Sequence, residues 1–199
     1  MGKKNLNKYK KKKNIDQEDY EEKILDSEMT TMIFKDIPTT VEKLKNPDLE
    51  SRNYFTTILS TYQFQDIKDQ SHKKIFTSPE VISALSSLLN DKYYQIKYNA
   101  ISALSNLLIS FSDTDIDKIL LTQTNFYELS LNIIKEFTNV ELNSKEYTQR
   151  VRTLKNLLDL YMLIIDMNEE DLTEEKINFN KIIYEFLFLM IKKTDFVDE

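Results

Sequence analysis

The stretch HKKIFTSPEVISALSSLLNDKYYQIKYNAISALSNLLIS (72–110) decides the fold class. In its second half, apolar residues recur at the three- and four-residue spacing of one helix face. Polar residues fall on a second stripe of the same helix, at Asn99, Ser102 and Asn106. We therefore predict that one face of this helix packs and that the other is free. The apolar residues are Ile96, Ala100, Ala103, Leu104, Leu107 and Phe111.

The same stretch divides into three helices. Pro79 marks the start of the middle one, because proline is favoured in the first turn of a helix, where its missing N–H has no partner in any case. We predict a short helix ending near Phe76, a second helix over 79–89 and a long third helix over 92–110.

Helical spacing of apolar residues continues on both sides of this stretch. No segment shows the alternation of a strand between turn residues, and Pro38 and Pro47 mark two further helix starts. We predict an all-α body over 29–199, preceded by a disordered tail over 1–28 that is first basic and then acidic.

The chain repeats itself. NPDLESRNYFTTILSTY (46–62) aligns with DKYYQIKYNAISALSNL (91–107) at an offset of 45 residues, which matches Arg52 to Lys97. QRVRTLKNLLDLY (149–161) fits at an offset of 54 if the acidic loop Val140–Glu146 is an insertion. A period near 45 lies in the range of armadillo and HEAT units, which bury their faces by stacking on neighbours. We predict an armadillo-like solenoid of three to four repeats, with an ordinary helical bundle as the alternative.

The composition excludes many kinds of site. The chain has no cysteine, one histidine and one glycine among its 199 residues. Thiolate metal sites, histidine triads and glycine loops that cradle phosphate are therefore excluded. We predict no enzymatic activity, no cofactor and no metal. The sequence contains no apolar run of the roughly 20 residues that a membrane span needs, so we expect no membrane partner.

Charge is distributed unevenly. The first 13 residues carry seven lysines and no acid, and the remainder holds 20 basic against 33 acidic residues. An acidic body favours basic protein partners and repels nucleic acid, except through the tail. A lysine run of this kind is typical of an import signal, of an RNA or phosphate contact, or of a general basic arm. We prefer the first interpretation, in which an import receptor binds the tail. Its lysines are Lys3, Lys4, Lys8, Lys10, Lys11, Lys12 and Lys13.

The unit over 72–110 resembles a full armadillo repeat. In armadillo proteins the third helices line a concave groove, and in the importin-alpha type a tryptophan and an asparagine four residues apart hold extended basic peptides. The corresponding pairs here are Ser102 with Asn106, Thr57 with Thr61, and Asn156 with Leu160. Tryptophan is missing from all of them. The resemblance thus implies a protein-binding concave face, and Asn106 is either an amide clamp or a solvated side chain. The predicted face comprises Thr57, Thr61, Asn99, Ser102, Asn106 and Asn156.

A narrower resemblance follows from the order of features. The chain begins with MGK and a lysine-rich tail, which an acidic stretch follows. After these come three segments: NPDLESR (46–52), IFTSPEVISALSSLLNDKYYQIKYNAISALSNL (75–107) and KNLLDLYMLI (155–164). This order resembles the N-terminal armadillo part of the symportin family. Members of that family are import adaptors and chaperones for the two ribosomal proteins that accompany 5S ribosomal RNA. Their tail signal ends in Pro-Tyr, which this sequence lacks.

These observations predict a non-enzymatic adaptor or chaperone, present in the cytoplasm and the nucleus. It would hold a basic protein, a ribosomal protein by resemblance, in an acidic groove built from third helices. Two acid-rich segments, Glu18–Glu28 and Asp166–Glu175, could contribute or could be solvated loops. The alternatives are a scaffold that oligomerises through the apolar C-terminal run KIIYEFLFLMIKK (181–193) and an RNA-binding protein that acts through its tail.

Overall fold

The structure is a computed structural model that describes residues 29–30, 32–67, 69–138 and 145–166. These residues contain helices and short 3₁₀ turns but no strand, which confirms the predicted all-α class for this part of the chain. The helix bounds are Ile37–Leu44 (α1), Leu49–Thr61 (α2), Gln70–Phe76 (α3), Pro79–Ser87 (α4), Tyr94–Ser110 (α5), Ile116–Thr122 (α6), Phe126–Thr138 (α7) and Lys145–Asp166 (α8).

Short polar side chains fix where several helices begin. Asp36 accepts a hydrogen bond from the Thr39 N–H at 2.7 Å ahead of α1, and Asp48 accepts one from the Ser51 N–H at 2.8 Å ahead of α2. Ser78 does the same for α4. Such caps satisfy N–H groups that have no partner within the helix.

Two of the three prolines predicted to mark helix starts lie in the first turn of a helix, and the third does not. Pro38 and Pro79 lie in the first turns of α1 and α4, as predicted. Pro47 instead precedes the Asp48 cap and lies outside α2, because the aspartate can cap the helix only from a non-helical position.

The three helices predicted over 72–110 are confirmed. The first ends at Phe76, the second begins at Pro79 and continues into a 3₁₀ turn over Leu88–Asn90, and the third ends at Ser110. The acidic loop predicted over Val140–Glu146 is wrong in its C-terminal bound, because α8 already begins at Lys145. Residues 139–144 lie outside the described part of the chain.

The core surrounds α5. All six residues of its predicted apolar stripe are buried. Aromatic rings extend the core beneath the first half of the chain: Phe64 lies 5.1 Å from Phe76 and 6.1 Å from Phe111 between ring centroids, each pair edge to face. Edge-to-face packing is a favoured arrangement of aromatic rings.

Contacts between side chains join α5 to one long helix on each side of it. On one side, Asn99 bonds to Thr57 and Asn106 bonds to Ser60 of α2. On the other side, Tyr94 lies against Arg150 of α8 and Ser102 bonds to its Asn156. Later residues of one helix therefore meet later residues of the next, so α2, α5 and α8 run parallel, with α5 in the middle.

The described helices include none that is long and apolar enough to cross a bilayer.

Candidate functional site

The six residues predicted to form a binding face lie on the three parallel helices. Five of them make hydrogen bonds between these helices, and Thr61 bonds within α2. We call the surface that they form the long-helix face. Its members are Thr57 and Thr61 on α2, Asn99, Ser102 and Asn106 on α5, and Asn156 on α8.

Asn99 differs from its prediction as a member of a free stripe, because it is buried, with 2% of its surface exposed. Its Nδ2 donates to Thr57 Oγ1 at 2.9 Å and also approaches Asn53 and Thr56 of α2. Its Oδ1 accepts a hydrogen bond from Gln95 at 2.9 Å. A buried amide needs such partners, and Asn99 thus joins α5 to α2 and has no atom to offer a ligand.

Asn106 and Asn156 each use only half of the amide. Asn106 Nδ2 donates to the Ser60 carbonyl at 2.8 Å, and Asn156 Nδ2 donates to Ser102 Oγ at 2.9 Å. Both residues are half-buried, and within the described residues neither Oδ1 makes a hydrogen bond. Each amide oxygen is therefore an acceptor held at a fixed position beside a helix junction.

Thr61 lies at the end of α2, where the face opens into a shallow cavity. The cavity has a volume of about 140 Å³ and lies between α2 and α5. Asn106 lines it together with Ile109, whose side chain is 60% exposed. The remaining lining residues are Thr61, Tyr62, Gln63, Gln65 and Ser110. This end of the face therefore offers both polar and apolar contacts.

The described part of the long-helix face carries no excess of acidic side chains, and the acidic groove predicted from the sequence stays a prediction. The exposed charged side chains described on α2, α5 and α8 are Glu50 and Asp159 against Arg152 and Lys155, so the charges balance. The two acid-rich segments lie outside the described residues, apart from Asp166 at the end of α8. The lysine tail and the apolar run over 181–193 lie outside them as well.

Two ion pairs that sequence reasoning missed join successive parts of the chain. Arg52 Nε on α2 lies 2.9 Å from Asp91 Oδ2 before α5, and both side chains are largely buried. Lys97 Nζ on α5 lies 2.6 Å from Glu136 Oε2 on α7. The repeat alignment matches Arg52 to Lys97 at an offset of 45 residues. The same offset leads from Asp91 to Glu136, so the second pair follows from the first.

Glu136 is held in its charged form. Burial acts to raise its pKa, but hydrogen bonds from Lys97 and Tyr94 and the positive charges of Lys97 and Arg150 oppose it, and the pKa lies below the ordinary 4.5. The Tyr94 ring also contacts both cations, with Lys97 Nζ at 4.9 Å and Arg150 Cζ at 4.6 Å from its centroid. These groups form one rigid junction among α5, α7 and α8.

No protein-family model, curated protein or solved structure matches this chain. Among the described residues, no three acidic or histidine side chains come together in a way that would hold a metal ion.

Proposed function

We propose that this protein is a non-enzymatic adaptor with an armadillo-type fold, which binds an extended segment of a basic protein along the long-helix face. By its resemblance to the symportin family, the cargo is a ribosomal protein that travels from the cytoplasm to the nucleus, and the lysine tail contacts the import receptor.

The repeat geometry supports the armadillo-type fold. A short helix, a second helix and a long helix follow one another twice, as α3, α4, α5 and then α6, α7, α8. The pair Arg52 and Asp91 recurs as Lys97 and Glu136, both members shifted by 45 residues. Parallel packing of each long helix on the next is the arrangement expected of stacked repeats.

The observation that carries the binding role is the pair of amide oxygens on Asn106 and Asn156. An extended peptide exposes backbone N–H groups that need acceptors, and a row of fixed amide acceptors satisfies them irrespective of the peptide's sequence. Because the nitrogen of each amide is bonded to the neighbouring helix, the oxygen is oriented in advance, which reduces the entropy lost on binding.

The preference for basic cargo rests on total charge, not on the face itself. Beyond the first 13 residues, acids outnumber bases by 33 to 20. A net negative body speeds the encounter with a basic chain, and this attraction weakens as salt is added. The balanced face then contributes hydrogen bonds after the encounter.

The test is a fluorescence anisotropy titration of the full chain with a labelled lysine- and arginine-rich peptide from a ribosomal protein, at low and at physiological salt. We expect binding that weakens with salt, and a loss of about tenfold in affinity when Asn106→Leu and Asn156→Leu are combined. Asn132→Leu is the matched control, because Asn132 is an exposed asparagine on α7, away from the long-helix face.

Three results would overturn the proposal: no binding, binding that salt leaves unchanged, or equal weakening by the control. If the double variant proves unstable, side-chain amide signals of Asn106 and Asn156 in the NMR spectrum of the unmodified chain replace it. These signals should then shift on addition of the peptide, and unshifted signals would count against the face.

A further inference from the structure

A second cavity lies at the start of α5, between its first turn and residues 149–153 of α8. It has a volume of about 160 Å³ and opens to solvent. Its lining combines one guanidinium, two tyrosine rings, two carboxamides and a hydroxyl, from Tyr94, Gln95, Tyr98, Gln149, Arg152 and Thr153. We call it the Arg152 cavity; among the described residues, no acidic side chain lines it.

Of the lining residues that the structure describes, Arg152 alone is charged. Its side chain is exposed, and within the described residues it makes no ion pair or hydrogen bond. This sets it apart from Arg52 and Lys97, whose charges are matched by Asp91 and Glu136. A guanidinium presents a planar fork of donors that fits the two oxygens of a carboxylate.

The other polar groups of the cavity supply further donors. Tyr98 is half-buried, and its hydroxyl is not hydrogen-bonded within the described residues. Gln149 is exposed and its carboxamide is likewise not bonded there, whereas Gln95 uses one N–H on Asn99 and keeps a second. Donors converging beside an apolar ring wall form the type of pocket that selects a small anionic group.

The walls of the cavity are held in place by neighbouring contacts. Tyr94 donates to Glu136 at 2.6 Å, and its ring lies against Lys97 and Arg150. Thr153 is buried and donates to the Gln149 carbonyl at 2.9 Å. The cavity is therefore preorganised on two helices and requires little ordering when a ligand enters.

We propose that the Arg152 cavity binds the carboxylate of a glutamate or aspartate side chain presented by a protein partner. One guanidinium balances the single negative charge of a carboxylate, and the tyrosine walls accommodate the methylene groups of the acidic side chain. The proposed adaptor role concerns a basic cargo and the asparagine oxygens. This site adds an acidic determinant at the other end of α5 from Asn106 and one turn before Asn156 on α8.

The test uses the full chain and two fluorescein-labelled peptides, one of alternating glycine and glutamate and one with glutamine in place of glutamate. Anisotropy at physiological salt should show binding of the glutamate peptide only. Arg152→Gln should weaken this binding by about tenfold, the loss expected for one charge-assisted hydrogen-bonded pair. Lys155→Gln is the matched control, because it removes a neighbouring exposed charge on α8 that does not line the cavity.

Equal affinity for the two peptides would overturn the proposal, because it would show that no site recognises the carboxylate. Equal weakening by Arg152→Gln and Lys155→Gln would overturn it as well, because it would show diffuse attraction to the surface charge. NMR provides a measurement that needs no variant: the Arg152 Nε–H signal and the Gln95 and Gln149 amide signals should shift with the glutamate peptide. An unshifted Arg152 signal at saturation contradicts the proposal. Asn106→Leu on its own should leave this binding unchanged, because Asn106 lies against Ser60 at the other end of α5, so the two proposals fail separately.

Discussion

Arg52 Nε lies 2.9 Å from Asp91 Oδ2, which joins the first turn of α2 to the residues that precede α5. The same guanidinium also donates to the carbonyls of Asn46 and Pro47, so one side chain closes the loop ahead of its own helix and also holds the segment that precedes α5. The exposed fractions of the two side chains are 14% and 7%. Removing one partner would strand a largely desolvated charge.

The first prediction concerns this pair. Asp91→Asn should lower the free energy of unfolding by about 2 kcal/mol, between the values for exposed and for fully buried pairs. Asp113→Asn is the control, because Asp113 pairs with Lys73 while 72% exposed, and such exposed pairs contribute little to stability. Urea unfolding followed by circular dichroism measures both, and equal losses would show that the burial of Arg52 and Asp91 is unimportant.

The second prediction concerns the buried amide of Asn99. Asn99→Leu should destabilise the chain by about 2 kcal/mol, because it removes the hydrogen bonds that the buried amide makes with Thr57 and Gln95. Thr61→Val is the control: its hydroxyl is exposed and donates within its own helix, so the change should be below about 0.5 kcal/mol. A neutral Asn99→Leu in the same urea assay would contradict the role of the amide in joining α5 to α2.

The third prediction concerns pH. The pKa of Glu136 lies below its ordinary value of 4.5, so the folded state favours the charged carboxylate. Its contribution to stability is complete above pH 4.5 and is lost as the pH falls through the lower folded-state value. The stability difference between the unmodified chain and Glu136→Gln should therefore be largest near neutral pH and shrink on acidification. Urea unfolding across a pH series measures it, and a difference independent of pH would contradict this prediction.

The fourth prediction concerns close packing around α5. Ala100 is buried with no exposed surface, and leucine at this position adds three carbon atoms to a filled core. Ala100→Leu should cost about 2 kcal/mol. Ser105→Ala, on the half-buried side of the same helix, should change stability by less than about 0.5 kcal/mol. Thermal unfolding compares them, and an unaffected melting temperature for Ala100→Leu would indicate unfilled space beside this helix.

Sequence reasoning predicted the helices well because their signals are local. The stripe from Ile96 to Phe111 repeats within one helix, and Pro79 with its Ser78 cap marks a helix start without reference to any other part of the chain. Both features depend on residues a few positions apart.

The environment of polar residues could not be predicted in the same way. Asn99 and Asn106 share a stripe in the sequence, yet only Asn99 is buried, because α2 places Asn53, Thr56 and Thr57 beside it. Helical spacing gives the direction of a side chain but not what the neighbouring helix brings to meet it. The Arg152 cavity was missed for the same reason, since its lining comes from segments more than 50 residues apart.

The central position of α5 has a consequence for the order in which the molecule opens. Within the described part of the chain, α5 alone of the three long helices has another long helix on each flank, α2 and α8, so its amide hydrogens should exchange with deuterium last. Opening should proceed inward from the outer helices, with partly unravelled forms populated before α5 loses its protection.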